Sequence, residues 1–372
     1  MSKKVLVTGG AGFIGSHLVD SLIEEGHDVR ILDNLDPQVH QGKKPDYLNK
    51  KAEFMLGDVR NVKDLEKAVE DVEVVFHQAA AVGVGQSMYM INHYVDVNTV
   101  GTGKLLELLV GRENSVEKIV VASSMSIYGE GAYECSKHGK VFPKLRPDNQ
   151  LKRHEWEVKC PHCSNILKPV ATGEDKPLHP TSIYAITKRD QEEMVLTTGK
   201  AYGIPAVALR YFNVYGPRQA LSNPYTGVAA IFSARIKNNN PPLIFEDGLQ
   251  GRDFVYVTDI VQANMLAMEK KNADYEMFNV AGGSRVTILQ VAEELIKLYG
   301  KKMKPEIANK FRAGDIRYCY ADIGKIKKIG FNPKVQFQEG MKKLVQWGEK
   351  QEAKDLIDKA TKELVERNLV ER

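Results

Sequence analysis

Thr8-Gly9-Gly10-Ala11-Gly12-Phe13-Ile14-Gly15 is the stretch on which the fold turns. Before it, Lys4 to Thr8 is a short apolar run that reads as a strand. After it, Ile14, Leu18, Leu22 and Ile23 share one face of a helix that Gly26-His27 ends. Gly9, Gly12 and Gly15 permit a tight turn, close approach of the backbone to a pyrophosphate, and close packing of helix on strand. The helix start adds free N–H groups and a partial positive charge, both suited to phosphate.

Working outward, Asp28–Leu32, Glu53–Leu56, Val72–His77 and Lys118–Ser123 read as further strands, and Val95–Val110 as a helix. Strands that alternate with helices predict an α/β fold built on a Rossmann-type, doubly wound parallel sheet. Asp33 closes the second strand, where an acid can take the adenosine ribose hydroxyls. A carboxylate there repels the extra phosphate of NADP, so the expected cofactor is NAD.

The 372 residues suit two domains or one elaborated domain. With 43% hydrophobic and 27% charged residues the chain reads as an ordinary soluble protein. A net charge of +4, without a basic block interleaved with aromatics, argues against nucleic acid as a partner. No apolar run approaches the roughly 20 residues of a membrane span. Met1-Ser2-Lys3-Lys4 leads straight into a strand and does not read as a signal peptide, so the expected location is cytoplasmic. Four cysteines do not suggest a disulfide scaffold.

Tyr184-Ala185-Ile186-Thr187-Lys188 puts a phenol and an ammonium on one helix face. Free tyrosine titrates near about 10, and a nearby cation favours the phenolate that a base at neutral pH requires. Ser123-Ser124-Met125-Ser126-Ile127-Tyr128-Gly129 closes the fifth strand, at the sheet edge where open α/β sheets bind ligands. A hydroxyl from Ser124 can hold a reacting sugar oxygen there and relay its proton to Tyr184.

These segments, with Asp33, Gly57-Asp58-Val59, His77-Gln78-Ala79-Ala80 and Asn98 with Gly101-Thr102, resemble the extended short-chain dehydrogenase/reductase family. Three later segments resemble its nucleotide-sugar epimerases and dehydratases: Arg210–Arg218, Arg252–Asp259 and Arg312-Ala313-Gly314-Asp315. The resemblance spans nearly the whole chain. It implies Ser124, Tyr184 and Lys188 as the catalytic residues. It implies cofactor contacts at Gly9, Gly12, Phe13, Ile14, Gly15, Asp33, Asn34, Asp58, Val59, Ala79, Ala80, Asn98, Ser123, Tyr184, Lys188 and Tyr211. It implies substrate contacts at Ser124, Ser126, Tyr184, Asn213, Arg252, Arg312 and Asp315, where guanidinium forks suit phosphate oxygens.

Within that family a 4,6-dehydratase carries an Asp-Glu pair directly after the hydroxyl residue, and a decarboxylase carries a Glu at the second of those positions. Met125 and Ser126 stand there in this chain, which leaves epimerisation, with kept NAD, as the expected reaction. A dehydratase or reductase, and a non-catalytic NAD-binding regulator, remain as alternatives. The complete triad counts against the regulator.

Ser124 and Tyr184 are 60 residues apart, about twice what the family needs, so roughly 35 to 40 residues are inserted. Residues 131–170 contain Cys135-Ser136-Lys137-His138 and Cys160-Pro161-His162-Cys163. A Cys-x-x-His and a Cys-x-x-Cys supply four zinc ligands in the manner of a zinc ribbon. The expected site is a structural zinc on Cys135, His138, Cys160 and Cys163, with His162 or His154 able to replace His138. The module lies near the substrate mouth and is expected to shape sugar or nucleotide selection, or to cover the site.

Together with Arg218–Gly227, the insertion resembles the dTDP-L-rhamnose 4-epimerases most, with UDP-glucose and UDP-glucuronate 4-epimerases as neighbours. The expected division is an NAD-binding domain over 1–212 and a smaller α/β nucleotide-sugar-binding domain over 213–372, with about 252–270 returning to the first. Val286–Leu298 reads as a helix with Thr287 as a possible cap, and Glu339–Val370 as a charged helical stretch. The resemblance also implies a homodimer.

Overall fold

The computed structural model describes residues 2–111 and 115–370. β1 (Lys4–Thr8) leads through the glycine turn into α1 (Phe13–Glu24). β2 (Asp28–Asp33), β3 (Glu53–Leu56), α2 (Val62–Ala68), β4 (Val74–His77), α3 (Gly101–Gly111) and β5 (Lys118–Ser124) follow. β6 (Ala132–Cys135), β7 (Gly139–Val141) and β8 (Lys168–Val170) then interrupt the alternation, which resumes with α4 (Ile183–Tyr202) and β9 (Ala206–Tyr211).

Beyond it lie β10 (Asn213–Tyr215), α5 (Val228–Lys237), β11 (Leu243–Ile244), β12 (Gly251–Tyr256), α6 (Val257–Glu269) and β13 (Glu276–Val280). The chain continues through β14 (Arg285–Thr287), α7 (Ile288–Leu298), β15 (Glu306–Ile307), β16 (Tyr318–Cys319), α8 (Phe337–Gly348) and α9 (Ile357–Glu366).

Seven parallel strands form the large sheet in the order β13-β9-β5-β4-β1-β2-β3. Side chains alternate across it, so Val5 and Val7 enter one hydrophobic cluster and Leu6 the other. β5 and β9 are buried throughout, as strands covered on both faces must be. The strand order reverses between β1 and β4, where Thr8 stands opposite His77. Their carboxyl ends open the crevice in which such sheets bind ligands.

A smaller sheet pairs β12 with β10 and β16 in parallel and with β14 antiparallel. It packs with α5, α7 and α8 around Phe232, Val291, Leu295, Met341 and Leu344. Within the span 252–270, α6 packs Ile260, Ala263 and Ala267 with Leu18 and Leu22 of α1 against the large sheet. Residues 251–256 stay in the small sheet as β12. Unforeseen in the sequence, β13 forms the edge of the large sheet beside β9.

Two helix boundaries also differ from expectation. α7 begins at Ile288, and Thr287 caps it in a reciprocal box with Gln290. The charged stretch from Glu339 is two helices, broken after Gly348. There the Lys237 ammonium binds the carbonyls of Gly348 and Gln351, and a Cβ on Gly348 would stand 2.8 Å from the Tyr299 hydroxyl.

Candidate active site

A cavity of about 420 Å³ runs along the carboxyl edge of the large sheet, from the glycine turn to Tyr184 and on to Asn213 and Phe254. Gly9 adopts φ +70°, and a Cβ on it would meet the Ala79 nitrogen at 2.8 Å. A Cβ on Gly15 would meet the Gly9 carbonyl at 2.3 Å. The turn is therefore too tight for side chains at either position. Gly12 caps α1 without any side-chain hydrogen bond, so the first N–H groups of the helix remain free for an anion.

The Asp33 carboxylate accepts from the N–H of Ala11 at 3.0 Å and of Leu35 at 2.9 Å, which fixes it at the cavity wall. Asn34 donates to Asp58 at 2.9 Å. Burial raises the Asp58 pKa, but the Arg60 guanidinium outweighs it and holds the carboxyl down at about 2. Phe13, Ile14, Val59, Ala79, Ala80, Ser123 and Tyr211 complete the expected cofactor wall.

Asn98 does not line this wall. It lies in a π-helical turn, Val95–Val100, fully buried. Its amide bonds both polar groups of the Ala81 backbone and the Thr187 hydroxyl. It fixes the wall from behind.

Ser124 and Tyr184 both line the cavity floor. Burial raises the Tyr184 pKa, and the neighbouring Ser124 hydroxyl opposes that rise. Ser182 caps α4 through the N–H of Ala185 at 3.1 Å, which sets the start of the helix that carries Tyr184 and Lys188. Burial pulls the Lys188 ammonium down to about 7, Glu192 partly restores it, and its Nζ donates to Gln191 at 2.6 Å. Beneath them, Ser123 donates to Glu192, Glu192 pairs with Arg210, and Arg210 donates to the Tyr128 hydroxyl at 2.7 Å. This buried network ties β5, α4 and β9 together.

The expected substrate residues are distributed unevenly. Asn213 lines the cavity, and its buried Oδ1 has no hydrogen-bond partner, an acceptor left for a ligand. Ser126 donates to Ser124 at 2.9 Å from outside the wall. Arg252, Arg312 and Asp315 lie outside it too. Arg252 donates to the carbonyls of Gly251, Ile316 and Arg317, and Arg312 pairs with Asp315 at 2.8 Å. Val82, Gln86 and Tyr94 line the cavity without having been singled out in the sequence, beside Gln219 and Asn223 of the Arg218–Gly227 stretch. They sit on connecting segments, where no periodicity marks a side chain as inward.

In the insertion, one ligand atom each from Cys135, His138, Cys160 and Cys163 falls within 4.8 Å of the others. Cys135 Sγ is 3.7 Å from Cys163 Sγ, and His138 Nδ1 is 3.5 Å from Cys135 Sγ and 3.6 Å from Cys160 Sγ. A zinc tetrahedron, with bonds of about 2.3 Å to sulfur and about 2.0 Å to nitrogen, has edges of roughly 3.5–3.8 Å. The backbone N–H of Lys137 is the main cause that holds the Cys135 thiol down at about 6. His162 packs its ring on His138, and His154 stacks on Trp156, so neither alternative histidine joins the cluster.

Comparison with known proteins agrees with the fold and the cavity. The model of the NAD dependent epimerase/dehydratase family matches residues 5–148 and 164–281, and passes over 149–163 within the insertion. The dTDP-L-rhamnose 4-epimerase of Burkholderia thailandensis is 33% identical over 349 residues, which cover 93% of this chain and 94% of that protein. A putative UDP-glucose 4-epimerase of Methanocaldococcus jannaschii is 36% identical over 346 residues, 92% of this chain and 97% of that protein. Among solved structures, the UDP-glucose 4-epimerase of Thermotoga maritima with UDP-glucose superposes with a TM-score of 0.75 at 34% identity, covering 93% and 99% of the two chains. The UDP-glucuronic acid 4-epimerase of Bacillus cereus, in complex with UDP-glucuronic acid and NAD, gives 0.76 at 29% identity with the same coverage.

Proposed function

The chain belongs to the NAD dependent epimerase/dehydratase family, and on that footing we propose that it is a nucleotide-sugar 4-epimerase whose substrate is dTDP-L-rhamnose. The observation that favours this sugar is the cavity wall. Among the described residues that line it, Lys188 is the only lysine or arginine, and it belongs to the catalytic group. Ala80, Ala81, Val82, Tyr94 and Phe212 supply apolar surface around the floor. A 6-methyl sugar matches such surface, and no lysine or arginine other than Lys188 lines the described wall to pair with a uronate carboxylate.

The glycine turn and Asp33 would hold NAD, which would supply a reversible hydride acceptor. The chain's own residues handle the proton. Tyr184 takes the C4 hydroxyl proton through Ser124, with the Lys188 charge favouring the phenolate. The apolar walls make few directional bonds to the 4-keto sugar, which leaves it free to present its other face. Asn213, Arg252 and Arg312 hold the nucleotide diphosphate meanwhile.

Cys135, His138, Cys160 and Cys163 hold one structural zinc. The module's own apolar core is small, chiefly Tyr133, Val141, Val158 and Leu167 against Tyr318, and needs such a staple. Four protein ligands leave no open position for chemistry.

The test is incubation of the purified protein, without added cofactor, with dTDP-L-rhamnose, UDP-glucose and UDP-glucuronate, followed by proton NMR at C4. Inversion of dTDP-L-rhamnose alone is the expected result. Inversion of a UDP-sugar instead overturns the choice of substrate, and an accumulating keto sugar overturns the reaction.

A further inference from the structure

We propose that the cysteine insertion is a clamp that sets substrate affinity, with Arg146, Trp156 and Glu157 as positioning residues for the loop carrying Arg312 and Asp315. The inference rests on the reading of Arg252 and Arg312 as diphosphate-binding residues.

The insertion grips this loop at three points. Trp156 and Leu151 form a separate hydrophobic cluster with Phe311, the residue immediately before Arg312. Arg146 donates to the carbonyl of Asp315 at 3.2 Å. Glu157 accepts from Arg317 at 2.7 Å. The carbonyls of Ile316 and Arg317, in turn, accept from the Arg252 guanidinium at 2.7 and 3.1 Å. The backbone that the insertion holds is therefore the backbone that aims Arg252.

Burial makes this grip stiff. The Arg146 and Arg317 side chains are 1% and 0% exposed. Arg146 forms a two-pronged pair with Glu246 at 2.8 and 2.9 Å, and Arg317 binds Asp247 at 2.6 Å and Glu246 at 3.1 Å. Buried charges without their partners are strongly disfavoured, so the cluster is stable only when insertion, loop and the 246–247 turn come together. Trp156 and Glu157 lie four and three residues before Cys160, so the metal knuckle fixes the segment that bears them. Metal occupancy is thus coupled to nucleotide affinity over a chain of direct contacts, while Ser124, Tyr184 and the NAD wall stand outside it.

The experiment measures dTDP binding to the metal-loaded, NAD-containing protein by calorimetry, beside KM, kcat and NAD content. Trp156→Ala and Glu157→Gln are expected to weaken dTDP binding and raise KM about tenfold, with kcat within twofold and NAD content unchanged. Glu157 is partly exposed, so Glu157→Gln remains informative should Trp156→Ala fail to fold. Trp156→Phe is expected to restore most of the affinity. Chelation of the metal from the wild type should weaken dTDP binding equally, and add little in Glu157→Gln.

Unchanged dTDP affinity in Glu157→Gln and in the metal-depleted protein overturns the clamp, as does a fall in kcat at constant KM. Because dTDP binding is read without turnover, a wild type that binds dTDP but forms no epimer fails the proposed reaction and still tests the clamp.

Discussion

Asn98 donates to the Thr187 hydroxyl at 2.9 Å, and so joins the π-helical turn before α3 to the helix that bears Tyr184 and Lys188. The same amide bonds the N–H and carbonyl of Ala81 on the cavity wall. Asn98→Ala should leave these buried groups unpaired and destabilise the fold by about 2–3 kcal/mol. Urea unfolding measures the loss. A change below about 0.5 kcal/mol would show that the bonds are not formed in solution.

Tyr184→Phe removes the phenol beside Ser124 and leaves the packing with the Tyr94 ring, whose centroid is 6.4 Å away. Epimerisation should fall by about 10²–10⁴-fold with NAD content unaltered. Full activity in this variant would remove Tyr184 from the proton path.

Cys160→Ser should lower the metal content from one zinc per chain towards none, and lower Tm, because ligand loss reduces folding free energy along with affinity. Elemental analysis and calorimetry give both numbers. Wild-type protein that carries no metal after purification in zinc-containing buffer would refute the site.

His77 should make stability depend on acid. Thr102 gives its own proton to the Asn98 carbonyl at 2.6 Å, so the His77 Nε2–H must donate to Thr102 and the bare Nδ1 accept from Thr8. Burial, helped by the Lys188 charge, holds its pKa down at about 3. With a folded pKa below the unfolded value of about 6.5, its contribution is complete above that value. It is lost progressively as pH falls towards the folded pKa, reaching about 2 kcal/mol by pH 5. His77→Gln should therefore lose about 2 kcal/mol less than wild type between pH 7 and pH 5, as read by urea midpoints.

The parts legible in the sequence are those with a short-range physical cause. The turn at Gly9, Gly12 and Gly15 was readable because the backbone must pass where no Cβ fits at Gly9 or Gly15. The cluster of Cys135, His138, Cys160 and Cys163 was readable because metal ligands are few and their spacing within each pair is tight. Asn98 was identified by its motif but not by its role, since nothing local distinguishes a wall residue from one that holds the wall. β13 was missed because nothing within Glu276–Val280 says which sheet it joins, and only pairing with β9 makes it the edge of the large one. The break after Gly348 depends on Lys237, 111 residues away.

The chain leaves the large sheet after β9 for the small one, comes back in α6 and β13, and leaves again at β14. A cut anywhere between residues 216 and 275 therefore leaves each sheet with strands on both sides of the break. Neither portion can be produced as an intact module by truncation, and a recombination event within that span would separate strands from the sheet they complete. The two sheets are therefore inseparable by a single break within that span.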